Sequence, residues 1–506
     1  MSRIYTAPAS RWRARLPFLL VGLFVLLVVA IVASRLLGLW GAETAASGSN
    51  DITVTYATEG DAPGSGVVNS PLKVSVTVPW STGSQDTVLA SVALQLLDDA
   101  GNPAVFGNGP ENEAFAMKPT FDIAVWEWRG SVPSKPGKYH ARINIDALYN
   151  KARNGVVDLS NPTVEAKPVA GAPLTSGFVF SQDANLWLLS SDATRQRKIT
   201  FFPEFYEYAD KPVWSPDGSK IAFTYSPRTD PSALPATDIW QVGADGSGAK
   251  PIVEHGDGES LLDPAWSADG KYVYYTVDTS ASATYTDTLG MPGGGLMGTS
   301  VRIDRTEIAT GIREQWMPAS QMPASGEANG DTVYLEYIQP RGNAEGLVAP
   351  PQRLMRADAS GEKTTVLADE NAFQLMYAPR MSPDGKWVVF GAINIPPPNQ
   401  PLPAPADTPP GGFNLLQWMG FEPTTAQAHG MPWDVYMVPA TGGPGIRLTK
   451  LDEDQPYPVW LDNSTIAFMG TTGLYKLSIG EDGQPKGDPT KIHDGAPHGG
   501  LSWRAP

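Results

Sequence analysis

The hydrophobic pattern changes character about a third of the way along this chain. Between residues 51 and 165, apolar side chains alternate with polar ones: Leu72, Val74, Val76 and Val78; Val92, Leu94 and Leu96; Tyr139, Ala141, Ile143 and Ile145. Alternation at period two, punctuated by Gly, Pro and Asn, predicts short half-buried strands and a β-sandwich. Beyond residue 176 the pattern becomes an apolar strand, a tight turn and a second apolar strand, repeated. Val213-Trp214-Ser215-Pro216-Asp217-Gly218 leads into Ile221-Ala222-Phe223, Ala265-Trp266-Ser267-Ala268-Asp269-Gly270 into Tyr272-Val273-Tyr274, and Arg380-Met381-Ser382-Pro383-Asp384-Gly385 into Val388-Val389-Phe390. A worn copy, Val459-Trp460-Leu461-Asp462-Asn463, leads into Ile466-Ala467-Phe468. Asp-Gly and Asp-Asn tolerate the positive φ that two-residue hairpin turns require.

A third strand and a second glycine turn follow each hairpin. Asp238-Ile239-Trp240-Gln241-Val242 runs into Asp245-Gly246, and Trp433-Asp434-Val435-Tyr436 into Gly442-Gly443; Leu354-Met355-Arg356 with Gly361 and Leu474-Tyr475-Lys476 with Gly483 repeat the arrangement. A four-strand unit repeated in this way predicts the blades of a β-propeller. The ends of the region complement each other. Leu501-Ser502-Trp503-Arg504 is a first strand with no successor, and Gly177-Phe178-Val179-Phe180 with Asn185-Leu186-Trp187 is a second and third strand with no predecessor. Joining them completes one blade from both ends and removes two open sheet edges. With a degenerate copy at Met322-Pro323-Ala324-Ser325-Gly326, the expected count is six blades.

The motif Trp-Ser-Pro-Asp-Gly, followed by an Asp-Ile-Trp or Trp-Asp-Val-Tyr strand and a glycine turn, resembles the TolB-like propeller repeat over roughly residues 175 to 506. That resemblance implies a binding and scaffold protein of bacterial envelopes; similar blades also form the gating domain of prolyl oligopeptidases and dipeptidyl peptidases. In the motif itself, Trp reads as core and Asp-Gly as turn. The earlier segment Trp126-Glu127-Trp128-Arg129 through Pro133, then Pro136-Gly137-Lys138-Tyr139, looks like the last hairpin of an immunoglobulin-like domain. Pro162 to Pro173 reads as the linker.

Leu16 to Ser34 is an uncharged apolar run. As a helix it would be about 28 Å long, close to a bilayer core of roughly 30 Å. Arg3, Arg11, Arg13 and Arg15 precede it and no acid occurs before Glu43, so the positive-inside rule puts the N-terminus in the cytoplasm and the bulk outside. The run exceeds the roughly 7 to 15 apolar residues of a cleaved signal, which favours a retained anchor, although Thr44-Ala45-Ala46 offers small residues for cleavage. The expected organisation is therefore a stub over 1–15, a transmembrane helix over 16–40, a tether over 41–50, a sandwich over 51–165, a linker over 166–175 and a propeller over 176–506.

The formal charge is −16; residues 1–42 hold five arginines and no acid, which leaves −21 for the remainder. An ectodomain this acidic repels phosphate backbones and disfavours nucleic acid as a partner. Absence of cysteine excludes disulfides and a cysteine-linked lipid anchor. Catalytic signatures are missing too: there is no G-x-S-x-G elbow, and His140, His255, His429, His493 and His498 lack metal-ligand spacing. Gly293-Gly294-Gly295 lacks the Lys-Ser/Thr of a phosphate loop. The expectation is a non-enzyme with no cofactor and no metal.

In each unit the first strand runs down into the Asp-Gly turn, so short turns share one face. Second-to-third and between-blade connections share the other. All long insertions (Ser226 to Thr237, Asp278 to Ser300, Gln339 to Gln352, Ile393 to Met431) fall on that second face, where long loops commonly carry function. The longest holds the apolar run Phe413 to Phe421. Between-blade segments add aromatics, among them Phe201 and Phe202. The candidate binding residues of this face are Phe205, Tyr206, Tyr208, Asp263, Tyr377, Trp418, Tyr457 and His498. Aromatics with a few acids on a concave mouth suit a protein, peptide or glycan partner. The rival expectation is an envelope hydrolase or lyase that acts on glycans or peptides through channel acids; a sensor subunit is a third, weakened by the short stub.

Overall fold

The computed structural model describes residues 51–506 apart from 59–63, 81–89, 108–113, 121, 123, 149–153, 169–173, 203–206, 228–235, 280–300, 327–329, 339–350, 395–432, 451–455, 471 and 496–497. The apolar run at Leu16, and with it the expected membrane helix, lies outside the described residues. Among those described, no helix is long and apolar enough to cross a membrane. The described fold is all-β and mostly antiparallel.

Two sheets come first. Thr53–Thr58, Pro71–Thr77, Val125–Ser131 and Lys118–Pro119 form one; Ser65–Val67, Gly155–Lys167, Gly137–Ala147, Ala90–Asp98 and Phe115–Ala116 form the other. Alternation does its work here: Leu72, Val74 and Val76 from the first sheet share a core with Leu94, Leu96, Ile143 and Ile145 from the second. Two sequence expectations need correction. Val125–Ser131 and Gly137–Ala147 do not form a hairpin, because they belong to different sheets. Pro133 and Pro136 remove ladder donors between them, and buried Val132 donates to Ser70 O instead (2.8 Å). The linker also starts later than Pro162, since the strand Gly155–Lys167 runs through that position and pairs with Ser65–Val67 in parallel.

Among the described residues, six four-stranded antiparallel sheets follow between residues 177 and 504. Their inner strands are Glu207–Trp214, Ser260–Trp266, Ser320–Ser325, Phe373–Met381, Val459–Asp462 and His498–Arg504. Successive inner strands touch in chain order, and His498–Arg504 touches both Val459–Asp462 and Glu207–Trp214. This is the arrangement of a β-propeller. The second strands, such as Lys220–Pro227, are buried on both faces between neighbouring sheets, which explains why they read as continuous apolar runs and not as alternations. One sheet is built from both ends of the region: Gly177–Gln182 pairs with His498–Arg504, with Phe178 opposite Trp503.

The repeated motif is structural. Ser215, Ser267 and Ser382 each donate to the Asp two residues on (2.6, 2.7 and 2.7 Å) and accept a backbone N–H from across the turn. Gly218, Gly270 and Gly385 all take φ of +71°. The tryptophans tie sheet to sheet: Trp214 Nε1 donates to Gly177 O, Trp460 Nε1 to Arg380 O and Trp503 Nε1 to Leu461 O, at 3.1, 3.1 and 3.2 Å.

Candidate functional site

Four inner strands break register near their middle, at Asp210/Val213, Leu262/Ala265, Gln321/Ala324 and Tyr377/Arg380, and these breaks build the floor of the channel. Lys211, Asp263, Met322, Ala378, Tyr457 and Gly499 occupy equivalent places and all have positive φ, between 40° and 74°. The first five precede prolines: Pro212, Pro264, Pro323, Pro379 and Pro458. Bulges and prolines fit here because each inner strand has one edge facing the axis, where a missing N–H costs no ladder bond. Lys211, Asp263, Met322, Ala378 and Tyr457 line a cavity of about 20 Å³ shared with Arg380 and Gly500, room for about one water molecule.

This waist is charged and aromatic. Lys211 Nζ lies 3.5 Å from Asp263 Oδ1 and 4.8 Å from the centre of the Tyr457 ring. Asp210 accepts the Lys211 backbone N–H at 2.7 Å. Burial alone would pull the Lys211 ammonium down, but Tyr457, Asp263 and Asp210 outweigh it, and its pKa lies above the usual lysine value. Burial pushes the Tyr457 phenol up. Tyr377 Oη accepts the Tyr457 N–H at 3.0 Å, and the two rings meet edge to face. Arg380 shows the opposite balance: burial lowers its pKa, and Asp263 and Tyr457 only partly offset that.

Below the waist, towards the short turns, the channel widens into a cavity of about 460 Å³ reached by all six inner strands. Above it, the sheet of Ser260–Trp266 carries an ion network. Arg302 binds Glu259 (2.7 Å) and Asp304 (2.8 Å), and Arg313 binds the same two acids, both at 2.8 Å. Burial would raise the pKa of Glu259, but Arg313 and Arg302 outweigh it and hold the carboxyl at about 2. Among the described residues no group of three or more His, Asp and Glu is placed to hold a metal ion.

Asp263 and Tyr457 line the waist of the channel, whereas Tyr377 packs behind Tyr457 in the core between sheets, against Trp433. Tyr208 is half-buried on Glu207–Trp214, opposite Ser226. His498 begins the strand His498–Arg504 opposite Ser181, and His493 lies on Pro485–Asp494. Phe202 packs on Tyr225 and Trp240. Phe205, Tyr206, Trp418 and the run from Phe413 lie outside the described residues. Sequence reasoning missed Lys211, Met322 and Arg380. The signal was present: Lys-Pro, Asp-Pro, Met-Pro, Ala-Pro and Tyr-Pro recur two residues before the Trp, Ser or Met of each copy, and the residue before the proline marks the waist.

No family model and no curated protein matches the chain. Solved structures similar to it include an oligogalacturonate lyase in complex with manganese, at 11% identity and a TM-score of 0.35, over 61% of this chain and 70% of that one. The β-propeller domain of the Trilobed protease from Pyrococcus furiosus is similar at 11% identity and TM-score 0.34, over 75% and 91%. The acylaminoacyl peptidase of Pyrococcus horikoshii is similar at 11% identity and TM-score 0.34, over 81% of this chain and 53% of that one. The chain thus spans about half the length of that peptidase. These likenesses correct one expectation: lyases and peptidases stand among the similar structures, so the expectation of a non-enzyme does not hold. Identity this low transfers none of their activities.

Proposed function

We propose that this protein is anchored in a membrane through residues 16–40 and uses a six-bladed propeller outside the cytoplasm to bind a partner. An immunoglobulin-like sandwich over about 51–167 stands between anchor and propeller. The partner is a protein, peptide or glycan, and it docks on the loop-rich face. The observation that carries the reading is the placement of the long connections. In sequence, residues 228–237, 279–300, 338–351 and 395–433 all join second to third strands, and the strand ends they join, from Pro227 and Asp238 to Asn394 and Asp434, all lie at one end of the ring. Among the described residues, the opposite end carries short turns, with the chain entering at Thr175 and leaving at Arg504. A waist with room for one water separates the two ends, which suits binding at a mouth over passage through the ring.

The test uses photo-crosslinking groups in the full-length chain in intact cells. They are placed at exposed Asp257, Pro351 and Asn371 on the loop end, and at exposed Ser219, Asp269 and Glu362 on the turn end. Discrete adducts from the first set alone are the expected result. Adducts from both sets equally, or from neither, would overturn the reading. The rival reading, an envelope hydrolase or lyase, draws on Asp210 and Asp263 beside Lys211. It requires Asp263→Asn to abolish turnover of a glycan or peptide that the wild-type protein cleaves.

A further inference from the structure

The turn-face end of the channel is built from residue types that do not match the rest of the molecule. In a chain of net charge −16, the 460 Å³ cavity has two arginines, Arg380 and Arg504, and no aspartate or glutamate among the described residues that line it. Its walls are Trp214, Trp266, Trp460 and Trp503, with Met381 beside them. Trp214, Trp266 and Trp460 are anchored deep between sheets, so the wall is pre-formed.

Arg380 is the odd group. It lies deep in the ring, between the waist and this cavity, and lines both. A guanidinium carries five N–H donors. Its side-chain hydrogen bond runs from Nη1 to Pro379 O at 2.9 Å, which leaves most of the fork unused. The waist acid that acts on it, Asp263, is paired to Lys211. Burial without a carboxylate partner of its own is what lowers the Arg380 pKa. Arg504, at the mouth, is committed to Thr175 O through Nη1 and packs over Gly218. A planar carboxylate matches an arginine fork in two parallel hydrogen bonds, and an apolar body attached to it would lie against the tryptophans.

We propose that the turn-face cavity is a second binding site, distinct from the loop-rich face, and that it takes a carboxylate carried on an apolar group, with Arg380 as the anion-binding residue and the tryptophan ring as the wall. The volume admits a single amino-acid-sized acid or the last residue of a peptide. The free acid and the peptide C-terminus present the same chemistry.

Calorimetric titration of the full-length protein in detergent tests this. N-acetyl-leucine and Ala-Ala-Leu are compared with N-acetyl-leucinamide and Ala-Ala-Leu-amide. Saturable one-site binding by an acid, weakened at least tenfold in its amide, is the expected result. Binding by both acids assigns the source to a peptide C-terminus, and binding by N-acetyl-leucine alone to a free acid. Arg380→Gln should abolish the heat of either. Arg504→Gln should keep the preference for acid over amide. No saturable heat with the wild-type protein, equal binding of acid and amide, or equal competition by inorganic phosphate would overturn the proposal. The acid–amide comparison needs no variant, so it stands even where Arg380→Gln fails to fold. Loss of loop-face crosslinks would leave this result untouched, so the two readings fail separately.

Discussion

Lys211 is the residue on which the channel waist turns. It neutralises Asp263 across 3.5 Å and covers the face of Tyr457, with Asp210 beside it. Removing one partner of a buried pair leaves the other charge uncompensated, which is costlier than removing both. Lys211→Met should therefore lower stability by about 2–4 kcal/mol, read as the urea midpoint, and adding Asp263→Asn should restore part of it. An unchanged midpoint in the single variant would mean that water already satisfies Asp263. Gly499 makes a second case. Its φ is +74°, and a Cβ there would fall on the Asp210 carboxylate. Gly499→Ala combines left-handed strain with that collision, and a loss of about 2–4 kcal/mol is expected in the same assay. Gly500→Ala would press on the Lys211 backbone without needing positive φ, and separates the two causes.

At the level of strands and turns, the Ser-x-Asp-Gly turn is the recurring device. Ser382 donates to Asp384 and accepts from the backbone of Trp387. Ser382→Ala leaves that N–H without a partner under a fully buried side chain, and should cost about 1–2 kcal/mol by thermal unfolding. The Glu259 network sets an acid limit. With its folded pKa near 2 and an unfolded value of about 4.3, Glu259 contributes stability that is complete above pH 4.3 and disappears as pH falls towards 2. Glu259→Gln should flatten the melting temperature against pH across that window. Equal slopes in both proteins would remove the network from the account of acid unfolding.

The strands themselves were legible in the sequence because their periodicities follow from burial. Alternation marked the sheets around Val74 and Ile143, and continuous runs marked second strands such as that of Phe223. Closure through Phe178 and Trp503 was legible because each terminal segment lacked a partner. The pairing of Val125–Ser131 was not: sheet choice there depends on Ser70 and Val132, which no local pattern connects. The waist escaped for a similar reason. Lys211, Asp263 and Tyr457 are separated widely in the chain and meet only once a ring has formed, so their ion pair and ring contact have no local signature. The proline after each of Lys211, Asp263, Met322, Ala378 and Tyr457 marks its position, but which side chains then meet across the ring is not written locally.

For the whole molecule, the sheet shared between Gly177–Gln182 and His498–Arg504 is what closes the ring. The inner strands on either side of it also lean on it: Trp214 N donates to Ser502 Oγ and Trp503 Nε1 to Leu461 O. Removing residues 498–506 should lower the melting temperature by about 10 °C, since several kcal/mol of interface would be lost at roughly 2–4 °C for each. The unfolding transition should broaden as well. A truncated protein that melts like the full chain would show that closure contributes nothing to the ring.

That closure also has a history in time. Arg504 bonds to Thr175 across 329 positions of sequence, and Phe178 and Phe180, both fully buried, find their inner neighbour only in the same late segment. On a chain made from the N-terminus onward, the edge of Gly177–Gln182 waits unpaired while the next five sheets are synthesised. Contacts of such long separation form slowly, and an exposed apolar edge is open to wrong partners in the interval. The first sheet of this propeller to begin is the last that can be completed, and the risk of misassembly is concentrated in that wait.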